Sequence, residues 1–212
     1  MKLLLTSGGL TNGPMVEALQ KLIGKPLSEA KIAVILLAKN QQAKDKSRVI
    51  TQLYELTQHG FGYVDIVDPS ARDVDNWRER LDAVDCIYVY GGSTFFLLDQ
   101  VRKSGLDEYI YKNIDKFVYV GNSAGTILAT PTIRVASMDP PDENPTNITD
   151  LNALHLLDFE IEPHCDDERY KIVEEYSQKF GVQMYAIDDS TAVKVDGDKI
   201  EVISEGNWKI FN

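Results

Sequence analysis

Cysteine, histidine and cationic side chains are all scarce in this sequence of 212 residues. Its two cysteines cannot form the disulfide framework of a small secreted protein, and Cys86 lies in an apolar run where a buried thiol is expected. Lysine and arginine number 22 against 33 aspartates and glutamates, which gives a formal net charge of −11. Because so acidic a surface repels phosphate groups, nucleic acid and anionic membranes are not expected partners.

Long apolar segments are missing as well. No run approaches the roughly 18 consecutive apolar residues that a membrane-spanning helix needs. The apolar stretch near the N-terminus, Leu3 to Leu5, is too short for a signal peptide. These absences predict a soluble, cytoplasmic protein.

Short apolar runs alternate with longer amphipathic stretches, which is typical of βαβ units and a parallel sheet. Strands are predicted at Leu3–Leu5, Ile32–Leu37, Tyr63–Val67, Cys86–Tyr90, Phe117–Val120, Phe159–Pro163, Met184–Ile187, Thr191–Val195 and Lys199–Ile203. Helices are predicted from Asn12 to Ile23, about Asp45 to His59, about Asp75 to Val84, Thr94 to Gly105 and Asp166 to Phe180. The turn around Gly197 predicts a C-terminal β-hairpin. No linker interrupts this pattern, so residues 1–212 are predicted to form a single α/β domain.

Polar or glycine residues follow four of the predicted strands. These are Gly91–Thr94, Ser123 within residues 121–125, His164, and the pair Asp188 and Asp189. Because ligands bind beyond the carboxyl ends of parallel strands, we expect these groups to meet at one edge of the sheet. A glycine turn, a serine, a histidine and an acid are the parts that serine acyl transfer needs.

The serine of this group lies in Gly121-Asn122-Ser123-Ala124-Gly125, which fits the pattern G-x-S-x-G. Such a turn between a strand and a helix presents a serine hydroxyl in a strained position, close to free N–H groups of the helix. The pattern alone is weak, because glycine-rich turns also bind phosphates. The apolar strand before it and the small residues after it favour Ser123 as a nucleophile.

A nucleophilic serine needs a base, and the chain has three histidines. His59 lies at the end of a predicted helix, where a cation interacts with the helix dipole. His155 lies in an apolar segment that we expect to be helical. His164 alone follows a strand toward the predicted site, so elimination favours it as the base.

The acid that orients the imidazole has several candidates. We favour Asp188 and Asp189, because a strand end holds a side chain more rigidly than irregular chain does. Spacing does not choose between the two. Four other aspartates lie between the serine and the histidine and would give the α/β-hydrolase order: Asp139, Asp142, Asp150 and Asp158.

Backbone N–H groups are expected to hold the oxyanion. One donor is the N–H of Ala124, and the second is expected from Gly91-Gly92, since only glycine lets the backbone approach so closely. These glycines also fit a simple helix entry capped by Ser93 or Thr94.

Signals for a cofactor or a metal are weak. Ser7-Gly8-Gly9 follows the first strand like a phosphate-binding turn but lacks the P-loop lysine. The segment His164–Asp167 has no second histidine at ligand spacing. We therefore expect no cofactor and no metal.

Four stretches together make the chain resemble the peptidase E family of serine exopeptidases, the S51 group that includes the cyanophycinases. They are Tyr90–Phe95, Gly121–Gly125 with the downstream Pro131–Arg134, Glu162–His164 and Ile187–Ala192. The resemblance implies a three-layer αβα fold with a mostly parallel sheet, flavodoxin-like and akin to class I glutamine amidotransferases. It also implies roles for single residues: Ser123 as nucleophile, His164 as base, Asp189 at an acidic position that is usually glutamate, and Gly92 with Ala124 as the oxyanion hole.

The chain departs from the aspartyl-dipeptidase members of that family after the histidine. Those members carry a longer loop whose arginine holds the substrate's aspartate, whereas here only Cys165–Glu168 separates His164 from Arg169. Three acids in this stretch would repel an acidic side chain unless Arg169 or Arg134 turns inward. A preference for N-terminal aspartate therefore stays open.

These features predict a serine peptidase that cleaves small peptides, as a dipeptidase or small-peptide exopeptidase, through a Ser-His-Asp triad and an acyl-enzyme. Two alternatives remain. One is a non-catalytic member that binds a small ligand in the same cleft, and the other is an esterase or amidase with the same triad.

Overall fold

A computed structural model describes residues 1–41, 44–71 and 74–212 of the chain. The strands are β1 Lys2–Thr6, β2 Lys31–Ile35, β3 Tyr63–Ile66, β4 Cys86–Val89, β5 Val118–Asn122, β6 Glu160–Glu162, β7 Met184–Ile187, β8 Thr191–Asp196, β9 Lys199–Ser204 and β10 Trp208–Phe211. The α-helices are α1 Gly13–Ile23, α2 Leu37–Gln41, α3 Ser47–Gln58, α4 Val74–Asp82, α5 Thr94–Ser104, α6 Leu106–Asn113, α7 Ala124–Leu128 and α8 Asp167–Phe180. Within these residues, no helix combines the length and the apolar character that crossing a bilayer requires.

The main sheet has seven strands in the order β3-β2-β4-β5-β1-β8-β9. The first five run parallel, with Leu4 of β1 paired to Val120 of β5. On its other side β1 pairs antiparallel with β8, which continues through a turn at Gly197 into β9. The predicted mostly parallel sheet and C-terminal hairpin are therefore confirmed.

Alternate residues of the central strands face opposite layers of helices. In β1, Leu3 and Leu5 belong to one fully buried cluster, which helices α4 to α8 cover. Leu4 points the other way, into a second cluster that α1 and α3 cover. Both faces of the central strands β2, β4, β5 and β1 are buried, which agrees with their nearly continuous apolar sequences, and the predicted three-layer αβα arrangement is confirmed.

The strands β6 and β7 lie outside the main sheet, which corrects the prediction of a single sheet edge. They pair in parallel with each other, and β10 pairs antiparallel with β7 to complete a three-stranded sheet. Residues 188–190 form the turn between β7 and β8, so two strands that are adjacent in sequence belong to different sheets. Neither β10 nor α6 was predicted from the sequence; β10 is only four residues long and largely exposed.

Two local predictions were wrong. The strand expected to reach Leu37 ends at Ile35, because the carbonyl of Leu36 accepts hydrogen bonds from Lys39 and Asn40 and so begins α2. His155 does not lie on a helix: its φ is +48°, and its N–H donates to the carbonyl of Thr130.

Candidate active site

Ser123 lies at the turn from β5 into α7. Its φ of 54° and ψ of −115° are strained for a residue with a side chain. Three hydrogen bonds hold this conformation: the Ser123 N–H donates to Thr6, and its carbonyl accepts from Thr126 and Ile127 at 2.8 and 3.1 Å. The hydroxyl therefore stands at the first turn of a helix, as the G-x-S-x-G pattern predicts.

His164 follows β6 and lies over this serine. Its Nε2 is 2.8 Å from Oγ of Ser123. The backbone of His164 is also in the left-handed region, with a φ of 59°, and its N–H donates a 2.8 Å hydrogen bond to Oγ of Ser7. Hydrogen bonds therefore hold His164 through both its backbone N–H and its imidazole ring.

Asp189 contacts the other ring nitrogen of this histidine. Its Oδ1 is 2.5 Å from Nδ1 of His164. Aspartate therefore reaches the ring directly, although its side chain is shorter than that of glutamate. The neighbouring Asp188 points away: its Oδ1 accepts from the N–H of Ser190 and the hydroxyl of Thr191, and its Oδ2 accepts from the N–H of Asn207. Of the two aspartates that spacing left open, the structure brings Asp189 to the imidazole.

Ser7 is a residue of this cluster that the sequence analysis considered only as part of a phosphate-binding turn. It is fully buried, and its hydroxyl donates a 2.7 Å hydrogen bond to Oδ1 of Asp189 while accepting from the His164 N–H. One feature of the sequence pointed to this position: Ser7 directly follows the carboxyl end of β1, and β1 is the neighbour of β5 in the sheet.

The environment of Asp189 favours its charged form. Burial raises the pKa of this carboxyl, but the hydrogen bond from Ser7, the imidazole of His164 and the guanidinium of Arg48 together hold the pKa below its usual value. Arg48 contributes from the surface, with Nη2 at 3.7 Å from Oδ2 of Asp189. An ionised Asp189 accepts a hydrogen bond from the N–H at Nδ1 of the imidazole, and in that tautomer Nε2 is free to accept a hydrogen bond from the hydroxyl of Ser123.

The glycine turn after β4 lies against this serine. A Cβ on Gly91 would come within 2.9 Å of the Cβ of Ser123, and one on Gly92 within 2.7 Å of the carbonyl carbon of Ala38. Gly92 also has a φ of 145°, which side chains rarely adopt. The turn continues into α5, where Ser93 caps the helix by accepting from the N–H of Phe96. The helix-entry explanation is therefore correct, and it is compatible with an oxyanion role for Gly92.

The other sequence candidates lie in different contacts. His59 is the residue directly after α3 and caps its C-terminal end, where the sequence predicted it, and His155 pairs with Asp158 at 3.5 Å. The carboxylate of Asp142 accepts from the hydroxyl of Thr94, and that of Asp150 pairs with Arg102. The carbonyl of Asp139 accepts a hydrogen bond from Arg169.

Burial raises the pKa of the Cys165 thiol, which favours its protonated form. Across residues 1–41, 44–71 and 74–212, no three His, Cys, Asp or Glu side chains are grouped so that they could hold a metal ion.

A cleft of about 380 Å³ opens beside the hydroxyl of Ser123. It runs from Ser123 to the start of α8, and its charged lining residues are Asp142, Glu162, Asp166, Glu168 and Arg169. Arg169 is held by two hydrogen bonds to Oε1 of Glu162, at 2.6 and 2.7 Å. Arg134 stacks on the ring of Phe180 and does not line this cleft.

Glu162 is almost completely buried at the base of the cleft. Burial raises its pKa to about 7, although the guanidinium of Arg169 opposes the rise, and the nearby Asp142 and Glu160 add to it. Arg169 on the cleft wall is therefore already engaged by the carboxyl group of Glu162.

A comparison with known protein families identifies the family of this chain. The model of peptidase family S51 matches residues 3–203. The chain belongs to peptidase family S51. The resemblance that the sequence motifs indicated is confirmed, and the protein is a peptidase.

Several relatives of this S51 peptidase have been named. An uncharacterised peptidase of Listeria monocytogenes is 32% identical over 143 residues, which cover 65% of this chain and 69% of the relative. Peptidase E of Streptomyces coelicolor is 29% identical over 62% of this chain and 57% of its own length. A Drosophila melanogaster protein named "probable alpha-aspartyl dipeptidase" is 30% identical over 63% of this chain and 59% of its own length.

The fold of this S51 peptidase is shared with solved structures. The crystal structure of a candidate peptidase E protein from Listeria monocytogenes superposes with a TM-score of 0.81 and 25% identity, covering 97% of this chain and 98% of the other. A peptidase from an acI-B1 actinobacterium has the same fold with a TM-score of 0.65 and 16% identity, over 99% and 93% of the two chains.

Proposed function

We propose that this S51 peptidase hydrolyses small peptides, as a dipeptidase or small-peptide exopeptidase, with Ser123 as its nucleophile. The observation that carries the proposal is the continuous hydrogen-bonded chain from Oγ of Ser123 through both ring nitrogens of His164 to Asp189, with contacts of 2.8 and 2.5 Å. A serine, an imidazole and a carboxylate in this order are the arrangement that activates a hydroxyl for acyl transfer.

In the proposed reaction, Nε2 of His164 takes the proton of Ser123 as Oγ attacks the scissile carbonyl. The oxyanion that forms accepts hydrogen bonds from the N–H groups of Ala124 and Gly92, and Asp189 stabilises the imidazolium. His164 then gives its proton to the leaving amine, and the peptide bond breaks to leave an acyl-enzyme. A water molecule, deprotonated by the same imidazole, hydrolyses the ester and restores the serine.

The dimensions of the cleft favour a short substrate. Its volume of about 380 Å³ lies near the lower end of the range for small-molecule sites, roughly 300–1,000 Å³. The relative from Drosophila is named a dipeptidase, which points to the same class of substrate.

An N-terminal aspartate is not the side chain that this cleft favours. Among the described residues that line the cleft, Arg169 is the one with a permanent positive charge, and its guanidinium is held by Glu162. The remaining acids, Asp142, Asp166 and Glu168, repel a substrate carboxylate. We therefore expect neutral or cationic N-terminal residues to be cleaved faster than aspartate.

The proposal is tested with a panel of dipeptides that differ in the N-terminal residue. We expect turnover by the wild-type protein, and a loss of kcat of at least about 10⁴-fold in Ser123→Ala. Ser70→Ala, which changes an exposed turn after β3, serves as the matched control and should keep full activity. A fluorophosphonate probe should label the wild type and Ser70→Ala but not Ser123→Ala.

Three results would contradict the proposal. If no dipeptide is cleaved in a serine-dependent way, the substrate class is wrong. Cleavage of esters but not of dipeptides would favour the esterase alternative. An unreactive Ser123 in the labelling experiment would favour a non-catalytic ligand-binding role.

A further inference from the structure

A second, smaller recess opens on Ser123 from another side. Its volume is about 100 Å³, and it shares Gly92, Ser123 and His164 with the larger cleft. Beyond these shared residues its lining is different, because α2 and α3 supply Lys39, Arg48 and Gln52. A substrate with its scissile bond at Ser123 would therefore extend into two compartments.

The recess lies in a concentration of positive charge. Lys39, Lys44, Lys46 and Arg48 fall within ten residues of a chain whose net charge is −11. Among the residues that the structure describes, no carboxylate lies within ion-pair distance of the Lys39 ammonium. Burial lowers the pKa of Lys39, and Lys46, Lys44 and Arg48 lower it further. A bound anion would relieve this repulsion among cations.

The base of the recess is polar and fixed by its own hydrogen bonds. Nε2 of Gln52 donates a 2.6 Å bond to the carbonyl of Gly8, and the hydroxyl of Tyr90 donates to Oε1 of the same glutamine. Arg48 faces the acid of the triad, with Nη2 at 3.7 Å from Oδ2 of Asp189. The recess is thus a small polar site whose cations lie beside the reacting groups, which suits a compact anion.

The two compartments have opposite charge, and a dipeptide has opposite charges at its two ends. The larger cleft carries Asp142, Asp166 and Glu168 on its wall, whereas the recess carries Lys39 and Arg48. With the peptide's ammonium end in the cleft and its carboxylate end in the recess, each end meets the opposite charge. The reverse orientation places each end against its own sign of charge.

We propose that the recess binds the free α-carboxylate of the leaving residue through Lys39, supported by Arg48. This inference rests on the proposed function and narrows it, since it makes a free carboxyl group directly after the scissile bond a determinant of cleavage. The enzyme would then select dipeptides over longer or amidated peptides.

The test compares Ala-Leu with its C-terminal amide, which differs only by the loss of the negative charge. We expect the wild type to prefer the free acid in kcat/KM by about 10- to 100-fold, as for the loss of a hydrogen bond to a charged group. Lys39→Met should bring the ratio close to one by slowing the free acid, and Lys39→Arg should restore part of the preference. Lys21→Met, an exposed lysine of α1, is the matched control and should keep the wild-type ratio.

Each other outcome overturns the inference. A ratio that is unchanged in Lys39→Met, or an equal loss on both substrates, shows that Lys39 does not recognise the carboxylate. Lys39→Gln repeats the measurement if the methionine variant does not fold, and fluorophosphonate labelling checks that Ser123 is still assembled. If neither substrate is cleaved in a Ser123-dependent way by the wild type, the proposed function itself is wrong, which is a different result from cleavage without carboxylate preference.

Discussion

The hydroxyl of Ser7 and Oδ1 of Asp189 are joined by a 2.7 Å hydrogen bond, although 182 positions separate them in the sequence. The same carboxylate oxygen lies 2.5 Å from Nδ1 of His164. Ser7 also accepts from the backbone N–H of that histidine and lies 3.3 Å from Nδ1 of its ring, so it links the proposed acid to both the backbone and the ring of the proposed base. This makes Ser7 a positioning residue in the proposed mechanism.

We predict that Ser7→Ala lowers kcat by about 10- to 100-fold with little change in KM, because a hydrogen bond to a charged acceptor contributes about 1.5–3 kcal/mol. Ser7 is among the groups that lower the pKa of Asp189, so its removal raises that pKa. The acidic limb of the kcat/KM profile should therefore move to higher pH. Steady-state kinetics across pH measures both effects.

The control for this variant is Thr11→Val. The hydroxyl of Thr11 donates to the backbone carbonyl of Asp189 rather than to its carboxylate, so the loss of that bond should leave the acidic limb in place. A Ser7→Ala enzyme with the wild-type profile and kcat would contradict the positioning role.

The two neighbouring aspartates allow a paired prediction. Asp189→Asn should reduce kcat by about 10⁴-fold, because an amide no longer holds the imidazole in the tautomer that accepts the serine proton. Asp188→Asn should keep most of kcat but lower the free energy of unfolding by about 1–3 kcal/mol, since Asp188 ties the turn after β7 to Thr191 and Asn207. Kinetics and urea unfolding of both variants measure the contrast, and the opposite pattern would assign the catalytic acid to Asp188.

Glu162 predicts a pH dependence of stability. Its pKa is raised to about 7 in the folded protein because of burial, so between its ordinary value of 4.5 and 7 the folded state keeps a proton that the unfolded chain has lost. The contribution of this group to stability is therefore largest in acid and falls as the pH rises toward 7. Relative to Glu162→Gln, the wild type should lose on the order of 2 kcal/mol of unfolding free energy between pH 5 and 7.5.

Urea unfolding of both proteins at the two pH values measures this difference. Each protein acts as its own reference, so other titrating groups cancel in the comparison. Equal changes in the two proteins would show that Glu162 is ionised throughout, as a partner of Arg169.

Local sequence patterns predicted the βαβ units of a parallel sheet and the turn that carries Ser123, because apolar runs and G-x-S-x-G act within a few residues. The three-layer αβα arrangement was implied by the resemblance to the peptidase E family. They did not predict that β7 and β8 belong to different sheets, since strand pairing depends on residues far apart in the chain. Spacing could not separate Asp188 from Asp189, because the contact that turns Asp188 away comes from Asn207, beyond the hairpin. The place of Ser7 after β1 put it at the carboxyl edge of the sheet, but its contacts could not be predicted for the same reason, because its partners lie more than 150 residues away.

The separation of the two sheets has a mechanical consequence. The proposed nucleophile stands on the seven-stranded layer, whereas His164 and Asp189 follow strands of the three-stranded one. The side chains of the proposed triad therefore meet at the junction between two sheets, where β6 packs against α7. A small tilt of the three-stranded sheet would move Nε2 of His164 away from the hydroxyl of Ser123, so packing at this junction sets the alignment of the proposed triad.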